Sequence, residues 1–257
     1  MNPLFYSKEE GQGTTLLFLH GFCETHEIWS DFVKPLTEHF RVITIDLPGF
    51  GDSEILPPPF SIDDVGNAVA HWLTRRNLGR TIVIGHSLGG YVALSLAENH
   101  QELVGGLGLF HSTIFPDSEE KKQNRSKVID FVRRNGVQPF IDTFVPSLFF
   151  DPLHPATNQV HQIASMTKPM TLISYLQAMR DRPDRSTTWK SGSMPKLLIS
   201  GVQDALVPIK ISQEMAKMAK NLSFFELQKV GHMGFFEAKT ECQEIIKGFT
   251  HGIQFNN

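Results

Sequence analysis

The chain has 257 residues, of which 40% are hydrophobic and 20% charged, a composition typical of globular proteins that bury a core without disulfides or metals. Its 24 basic and 27 acidic residues give a net charge of -3, and this near balance argues against a nucleic-acid binder or a polybasic membrane partner. No run of 18 consecutive apolar residues occurs, which argues against a transmembrane helix. We therefore expect one compact domain, with or without an insertion, that acts on a small molecule.

The number of cysteines and the first residues of the chain indicate the cellular compartment in which the protein is expected. The two cysteines, Cys23 and Cys242, are too few for a disulfide framework. Lys8, Glu9 and Glu10 stand where a signal peptide needs an apolar run. Both features predict a reducing, cytoplasmic setting.

Short apolar runs recur along the chain, and most end in a turn signal that is followed by helical periodicity. Runs that are apolar nearly throughout are typical of parallel strands whose sheet is covered on both faces. The alternation predicts an α/β fold with a mostly parallel sheet flanked by helices. The predicted strands are 16–19, 42–45, 81–84, 107–110, 197–199 and, with a less regular pattern, 224–227.

Apolar spacing also predicts the helices between these strands. One helix is expected around Trp29 to Leu36, where apolar residues recur on one helical face. Another is expected behind the capping pair of Ser61 and Asp64. The last helix carries Cys242 on its apolar face, so this thiol is expected to pack in the core.

The strand and helix alternation stops after the strand at 107–110. Residues 113–190 contain no convincing strand, whereas Phe140, Phe144 and Leu148, and later Leu176 and Met179, have helical spacing. This segment is predicted to be a helical cap. It would be inserted into a core formed by residues 1–112 and 191–257.

The most informative motif lies between the third predicted strand and the helix after it. It reads Gly85-His86-Ser87-Leu88-Gly89, a Gly-x-Ser-x-Gly pattern in the strand-to-helix context that it requires. A serine in so tight a turn is held in strained backbone geometry, and glycines leave room where the two arms approach. The motif predicts a presented serine hydroxyl near a helix N-terminus that favours developing negative charge.

A serine hydroxyl needs a base that removes its proton, usually a histidine oriented by a carboxylate. Asp204 follows the predicted strand 197–199, and His232 follows the predicted strand 224–227. Loops at the carboxyl edge of a parallel sheet meet where substrates bind. We therefore expect both side chains near Ser87, in the chain order serine, aspartate, histidine.

Five signatures in register resemble the α/β-hydrolase superfamily, specifically its esterase-like members with a helical cap. They are His20-Gly21-Phe22, the stretch 46–53, the Ser87 turn and the two loops that carry Asp204 and His232. The resemblance covers nearly the whole chain. It implies a catalytic triad of Ser87, Asp204 and His232, and an oxyanion hole formed by the backbone N–H groups of Phe22 and Leu88.

Other site residues are predicted with less support from motifs. Trp29 and His111 are expected to border the substrate pocket, Trp29 on the acyl side and His111 just after the strand at 107–110. The remaining histidines lack metal-ligand spacing, and no dinucleotide-binding or phosphate-cradling motif occurs. The sequence therefore predicts no metal and no cofactor.

The leading functional hypothesis is hydrolysis, through an acyl-enzyme, of a carboxylic ester or lactone with a small to medium, largely apolar acyl group. Two alternatives within the same triad chemistry stay open, a carbon-carbon bond hydrolase and a quinone-pathway lyase. A ligand receptor built on a hydrolase scaffold is an alternative of another class. The expected partner is a small molecule rather than nucleic acid or membrane, and the oligomeric state is left open.

Overall fold

The computed structural model describes residues 4–191 and 194–253. In these ranges seven strands form one sheet in the order β1-β3-β2-β4-β5-β6-β7, in which only β1 runs antiparallel to its neighbour. The predicted α/β fold with a mostly parallel sheet is confirmed. The strands are β1 (Ser7–Glu10), β2 (Thr15–Leu19), β3 (Arg41–Ile45), β4 (Thr81–His86), β5 (Val104–Phe110), β6 (Lys196–Gly201) and β7 (Leu222–Leu227).

The central strands are buried on both faces, because helices cover the sheet. Every residue of β2, β4, β5 and β6 is buried, as expected for strands of nearly continuous apolarity. The helices outside the segment between β5 and β6 are α1 (Ile62–Arg75), α2 (Leu88–Asn99), α8 (Ile209–Met218), α9 (Gly234–Glu237) and α10 (Lys239–His251). At the start of α1 the Ser61 hydroxyl accepts the Asp64 N–H, and the Asp64 carboxylate accepts the Ser61 N–H. This capping box confirms the predicted helix start.

The helix predicted around Trp29 to Leu36 is wrong. The chain forms two short 3-10 helices there, His26–Trp29 and Lys34–Leu36. A continuous α-helix would need an N–H at Pro35 and would place the residue before this proline in a disfavoured conformation. The apolar side chains are nevertheless buried, since Trp29 and Leu36 are at most 1% exposed.

In the described part of the chain, five α-helices and the 3-10 helix Pro146–Leu148 lie between β5 and β6. The α-helices are α3 (Glu119–Asn135), α4 (Gln138–Phe144), α5 (Thr157–Ser165), α6 (Pro169–Arg180) and α7 (Ser186–Lys190). Because β5 and β6 are parallel neighbours, this helical segment begins where β5 ends, at the carboxyl edge of the sheet. In the part of the chain that the structure describes, no helix is both long and apolar enough to cross a membrane.

Candidate active site

Ser87 lies in the sharp turn between β4 and α2. Its backbone has φ 48° and ψ -111°, a left-handed conformation that is costly for a residue with a Cβ. The glycines on either side permit this turn, since a Cβ on Gly85 would lie 2.3 Å from the Gly89 carbonyl oxygen. The Ser87 N–H donates to the Phe110 carbonyl at 3.0 Å, and the Ser112 hydroxyl donates to the Ser87 carbonyl at 2.8 Å. The turn is therefore braced by the end of β5.

Asp204 and His232 meet across two loops of the carboxyl edge. Nδ1 of His232 lies 2.7 Å from Oδ2 of Asp204, and both residues are at most 4% exposed. The other oxygen, Oδ1, accepts the N–H groups of Leu206 and Val207 at 2.8 and 3.0 Å. The His232 N–H donates to the Leu148 carbonyl at 2.7 Å, so the helical segment helps to hold the histidine loop.

The charges of this pair are coupled. Burial alone would raise the pKa of the Asp204 carboxyl, but the neighbouring His232 and His111 imidazoles hold this pKa well below its ordinary value. Burial would lower the pKa of His232, but the Asp204 charge raises it above the ordinary 6.5. An ionised Asp204 accepts from Nδ1–H and leaves Nε2 of the imidazole as the atom that can take a proton.

Ser87 and His232 line one cavity of about 340 Å³. Across the described ranges, the Ser87 hydroxyl forms no hydrogen bond with His232 and Nε2 of His232 has no hydrogen-bond partner. Such a bond is often long or poorly aligned in an enzyme without substrate. The structure therefore brings the three predicted triad residues to one site, with Asp204 and His232 already joined.

Two backbone N–H groups near Ser87 have no hydrogen-bond acceptor among the residues described. They belong to Phe22, in the loop after β2, and Leu88, at the first position of α2. His20 fixes the peptide that carries the Phe22 N–H, because its Nδ1 lies 2.8 Å from the Gly21 carbonyl oxygen. Its Nε2 accepts the Leu47 N–H at 2.9 Å, which leaves the proton on Nδ1. Burial lowers the pKa of His20 and favours this neutral form.

The structure corrects the placement of Trp29 and His111, the two residues expected to border the pocket. Both are fully buried, and neither lines the cavity. Trp29 packs in an aromatic cluster, with its ring centroid 4.6 Å from that of Phe235 and 5.1 Å from that of Phe18. These two side chains belong to the core beneath the site and do not face a substrate.

His111 instead contacts the carboxylate of Asp204. Its Nδ1 lies 3.3 Å from Oδ2 of Asp204 and 3.2 Å from the backbone nitrogen of Gly201, and its Nε2 lies 3.2 Å from the backbone nitrogen of Gly234. Burial lowers the pKa of His111 to about 4, so the ring is neutral and carries a hydrogen on only one of its two nitrogens. His111 thus joins the aspartate loop to the segment just after His232.

A second buried pair escaped the sequence analysis. Oε2 of Glu24 accepts the Gly21 N–H at 2.6 Å and lies 3.0 Å from Nδ1 of His86. Nε2 of His86 lies 3.0 Å from the carbonyl oxygen of His232. Glu24 and His86 are 2% and 1% exposed. The available signal was a carboxylate two residues after Phe22 in the loop that follows β2.

One group of side chains could in principle hold a metal ion. The ligand atoms of His111, Asp204 and His232 all lie within 4.8 Å of one another. Hydrogen bonds already occupy Oδ2 of Asp204, Nδ1 of His232 and Nε2 of His111. The grouping is therefore explained by the arrangement around Asp204 without an ion.

The cavity is apolar on most sides. Its aromatic and aliphatic lining comes from the loop after β2, from α2, from the loop after β6 and from the helices between β5 and β6. Lys121, Asn124 and Arg125 of α3 supply the remaining polar side chains. The apolar lining residues are Phe22, Tyr91, Val128, Phe140, Phe144, Leu176, Met179, Ala205, Leu206 and Val207.

Comparison with known families agrees with this fold. A model of the alpha/beta hydrolase fold family matches residues 14–239. The match covers most of the chain and includes Ser87, Asp204 and His232. The chain belongs to the alpha/beta hydrolase fold family.

Several similar proteins are named as esterases or as other hydrolases. A pimeloyl-[acyl-carrier protein] methyl ester esterase of Vibrio cholerae is 26% identical, over 96% of this chain and 98% of that protein. The solved structure of a thermophilic esterase from Thermogutta terrifontis, with malate bound, is 27% identical, with a TM-score of 0.91 over 96% of this chain and 93% of its own. An enol-lactonase from Burkholderia xenovorans LB400 shares the fold at 20% identity, with a TM-score of 0.88 and 96% coverage of both chains.

Proposed function

We propose that the chain is a serine hydrolase that cleaves a carboxylic ester or lactone through an acyl-enzyme. The observation that carries this proposal is the 2.7 Å hydrogen bond between Asp204 and His232 at the cavity that Ser87 also lines. The esterase activities named for the V. cholerae relative and the T. terrifontis structure support the same reaction class.

Each residue has a defined role in the reaction. His232 Nε2 takes the proton of the Ser87 hydroxyl as this oxygen attacks the ester carbonyl carbon. Asp204 holds the imidazole with its proton on Nδ1 and stabilises the imidazolium. The N–H groups of Phe22 and Leu88 donate to the oxyanion of the tetrahedral intermediate.

The intermediate collapses when the alkoxide leaves and takes the proton from His232, which produces the Ser87 acyl ester. Water then attacks the acyl carbon, His232 takes its proton, and the carboxylic acid is released with the proton returned to Ser87. The Asp204–His232 hydrogen bond is already formed, so His232 has only to come within hydrogen-bond distance of the Ser87 hydroxyl for these steps.

The cavity supports a small to medium, largely apolar acyl group. Its volume of about 340 Å³ lies near the lower end of the range of about 300–1,000 Å³ for small-molecule pockets. Residues 113–190 act as a cap in this proposal, because their side chains Phe140, Phe144, Leu176 and Met179 form part of the lining.

Hydrolysis of p-nitrophenyl acetate, butyrate and octanoate tests the proposal. We expect turnover of at least one ester, and we expect Ser87→Ala to reduce kcat by about 10⁴-fold or more. Ser147→Ala, at an exposed serine, is the matched control and should retain wild-type rates. Full hydrolysis by Ser87→Ala would exclude Ser87 as the nucleophile.

Absence of turnover on every simple ester, together with tight binding of one ligand, would favour a receptor instead.

A further inference from the structure

Glu24 is a buried carboxylate outside the proposed triad. A charge at 2% exposure is costly unless it is paired and hydrogen-bonded. Burial would raise the pKa of Glu24, but the adjacent His86 holds it below its ordinary value. Glu24 therefore stays ionised in the core and receives two hydrogen bonds on the same oxygen, from the Gly21 N–H and from His86.

His86 faces an acceptor at each ring nitrogen. A backbone carbonyl can only accept, so Nε2 carries a hydrogen and donates to the His232 carbonyl oxygen. The Glu24 carboxylate on the other side also accepts. His86 therefore bridges the Glu24 carboxylate on one side and the His232 backbone on the other.

This link joins three segments that the proposed reaction uses. Glu24 holds the N–H of Gly21, the residue just before the Phe22 oxyanion donor. His86 precedes Ser87 in the chain, and it holds the backbone of His232. Gly21 is required for the approach, since a Cβ there would lie 2.6 Å from Nδ1 of His86 and 2.7 Å from Oε2 of Glu24.

We propose that Glu24 and His86 are positioning residues, which hold the Phe22 amide and the His232 loop in fixed places relative to the Ser87 hydroxyl. This inference rests on the proposed function. Displacing an oxyanion donor weakens transition-state binding more than substrate binding. Loss of the pair should therefore lower kcat and leave KM nearly unchanged.

The variants are Glu24→Leu, which removes the acceptor, Glu24→Gln, which keeps an acceptor oxygen without the charge, and His86→Phe. Glu27→Leu is the matched control, because Glu27 is an exposed carboxylate in the 3-10 helix that follows the Glu24 loop. Rates on one p-nitrophenyl ester are normalised to active sites titrated with a fluorophosphonate. The affinity of an alkyl boronic acid, which forms a tetrahedral serine adduct, reports the oxyanion geometry.

We expect Glu24→Leu to lower kcat by about 10- to 100-fold, with KM within about threefold of wild type. Boronate affinity should fall in parallel with kcat/KM, and Glu24→Gln should lie between Glu24→Leu and wild type. The double variant Glu24→Leu/His86→Phe should be no slower than the slower single variant, because residues that act as a unit are non-additive. Glu27→Leu should match wild type.

Wild-type kcat per titrated site in Glu24→Leu, or a rise in KM at unchanged kcat, would overturn the proposal. So would additive losses in the double variant. If Glu24→Leu does not fold, Glu24→Gln takes its place in the double-variant comparison, with the same predicted non-additivity. Full hydrolysis by the Ser87→Ala variant would instead overturn the proposed function. This result distinguishes a failure of the proposed function from a failure of the positioning role of Glu24 and His86.

Discussion

The loops at the carboxyl edge of the sheet and the cavity-lining part of the helical segment between β5 and β6 differ in where they place charge. In the loops, Glu24 and Asp204 are ionised and buried, and each is bonded to a histidine. In the helical segment, the charged side chains that line the cavity are the partly or fully exposed Lys121 and Arg125, while its contribution to the cavity is mostly apolar. In the proposed reaction, the loops would position proton transfer, whereas the helical segment would shape the space for the substrate.

The largest expected loss of activity comes from a substitution in the loops, at Asp204. Asp204→Asn keeps the shape of the side chain but allows the wrong tautomer of His232, so kcat should fall by about 10³- to 10⁴-fold. Steady-state ester hydrolysis measures the loss. Asp130→Asn, at an exposed carboxylate of α3, should have no effect, and a loss below tenfold in Asp204→Asn would remove Asp204 from the triad.

The second effect is a decrease in kcat/KM at low pH. Asp204 raises the pKa of His232 above 6.5, and only the neutral imidazole can accept the Ser87 proton. The value of kcat/KM should therefore be constant at high pH and fall about tenfold per pH unit below the His232 pKa. A profile measured from pH 5 to 9, with circular dichroism as the control for folding, tests this; a rate flat from pH 5 to 8 would contradict the role of His232.

The third effect is that of His111→Ala, which is measured on both kcat and stability. His111→Ala removes the imidazole that contacts Asp204 and that also faces the buried N–H groups of Gly201 and Gly234. We expect kcat to fall about tenfold and the free energy of unfolding to fall by about 1–3 kcal/mol. Denaturant unfolding and ester kinetics measure the two quantities. Unchanged stability together with unchanged kcat would show that the contacts of His111 contribute neither to folding nor to catalysis.

The smallest effect concerns the helical segment. Phe140 lines the cavity and stacks on Phe144 with centroids 5.0 Å apart. Phe140→Ala should raise KM for the octanoate ester by about 3- to 10-fold and leave kcat on the acetate ester within about twofold. Phe131→Ala, at a side chain outside the cavity lining, is the control. Equal losses on both esters would contradict a role in acyl recognition.

The sequence predicted the parts of the molecule that local rules determine. The Ser87 turn follows from two glycines between a strand and a helix, and the α1 start follows from Ser61 and Asp64. The strand β1 was missed because Ser7–Glu10 is polar and forms its ladder at an edge of the sheet through backbone groups. Apolar periodicity carries no signal for such a strand.

The directions in which loop side chains point could not be predicted from neighbouring residues in the sequence. His111 follows β5 directly and was expected to face the pocket, but its φ of 50° and the packing around it turn the ring into the core. Glu24 has no motif of its own, and its role depends on residues 62 and 208 positions away, His86 and His232. Such contacts are fixed by tertiary packing rather than by neighbours in the chain.

The most direct test of the account is to trap the acyl group. Wild-type protein is mixed with a p-nitrophenyl ester, quenched in acid within the first turnover, and analysed by intact mass and peptide mapping. We predict one added acyl mass, located on the peptide at Ser87, and its absence in Ser87→Ala. An acyl group on any other residue, or a stoichiometric burst of p-nitrophenol without an adduct at Ser87, would contradict the proposed mechanism.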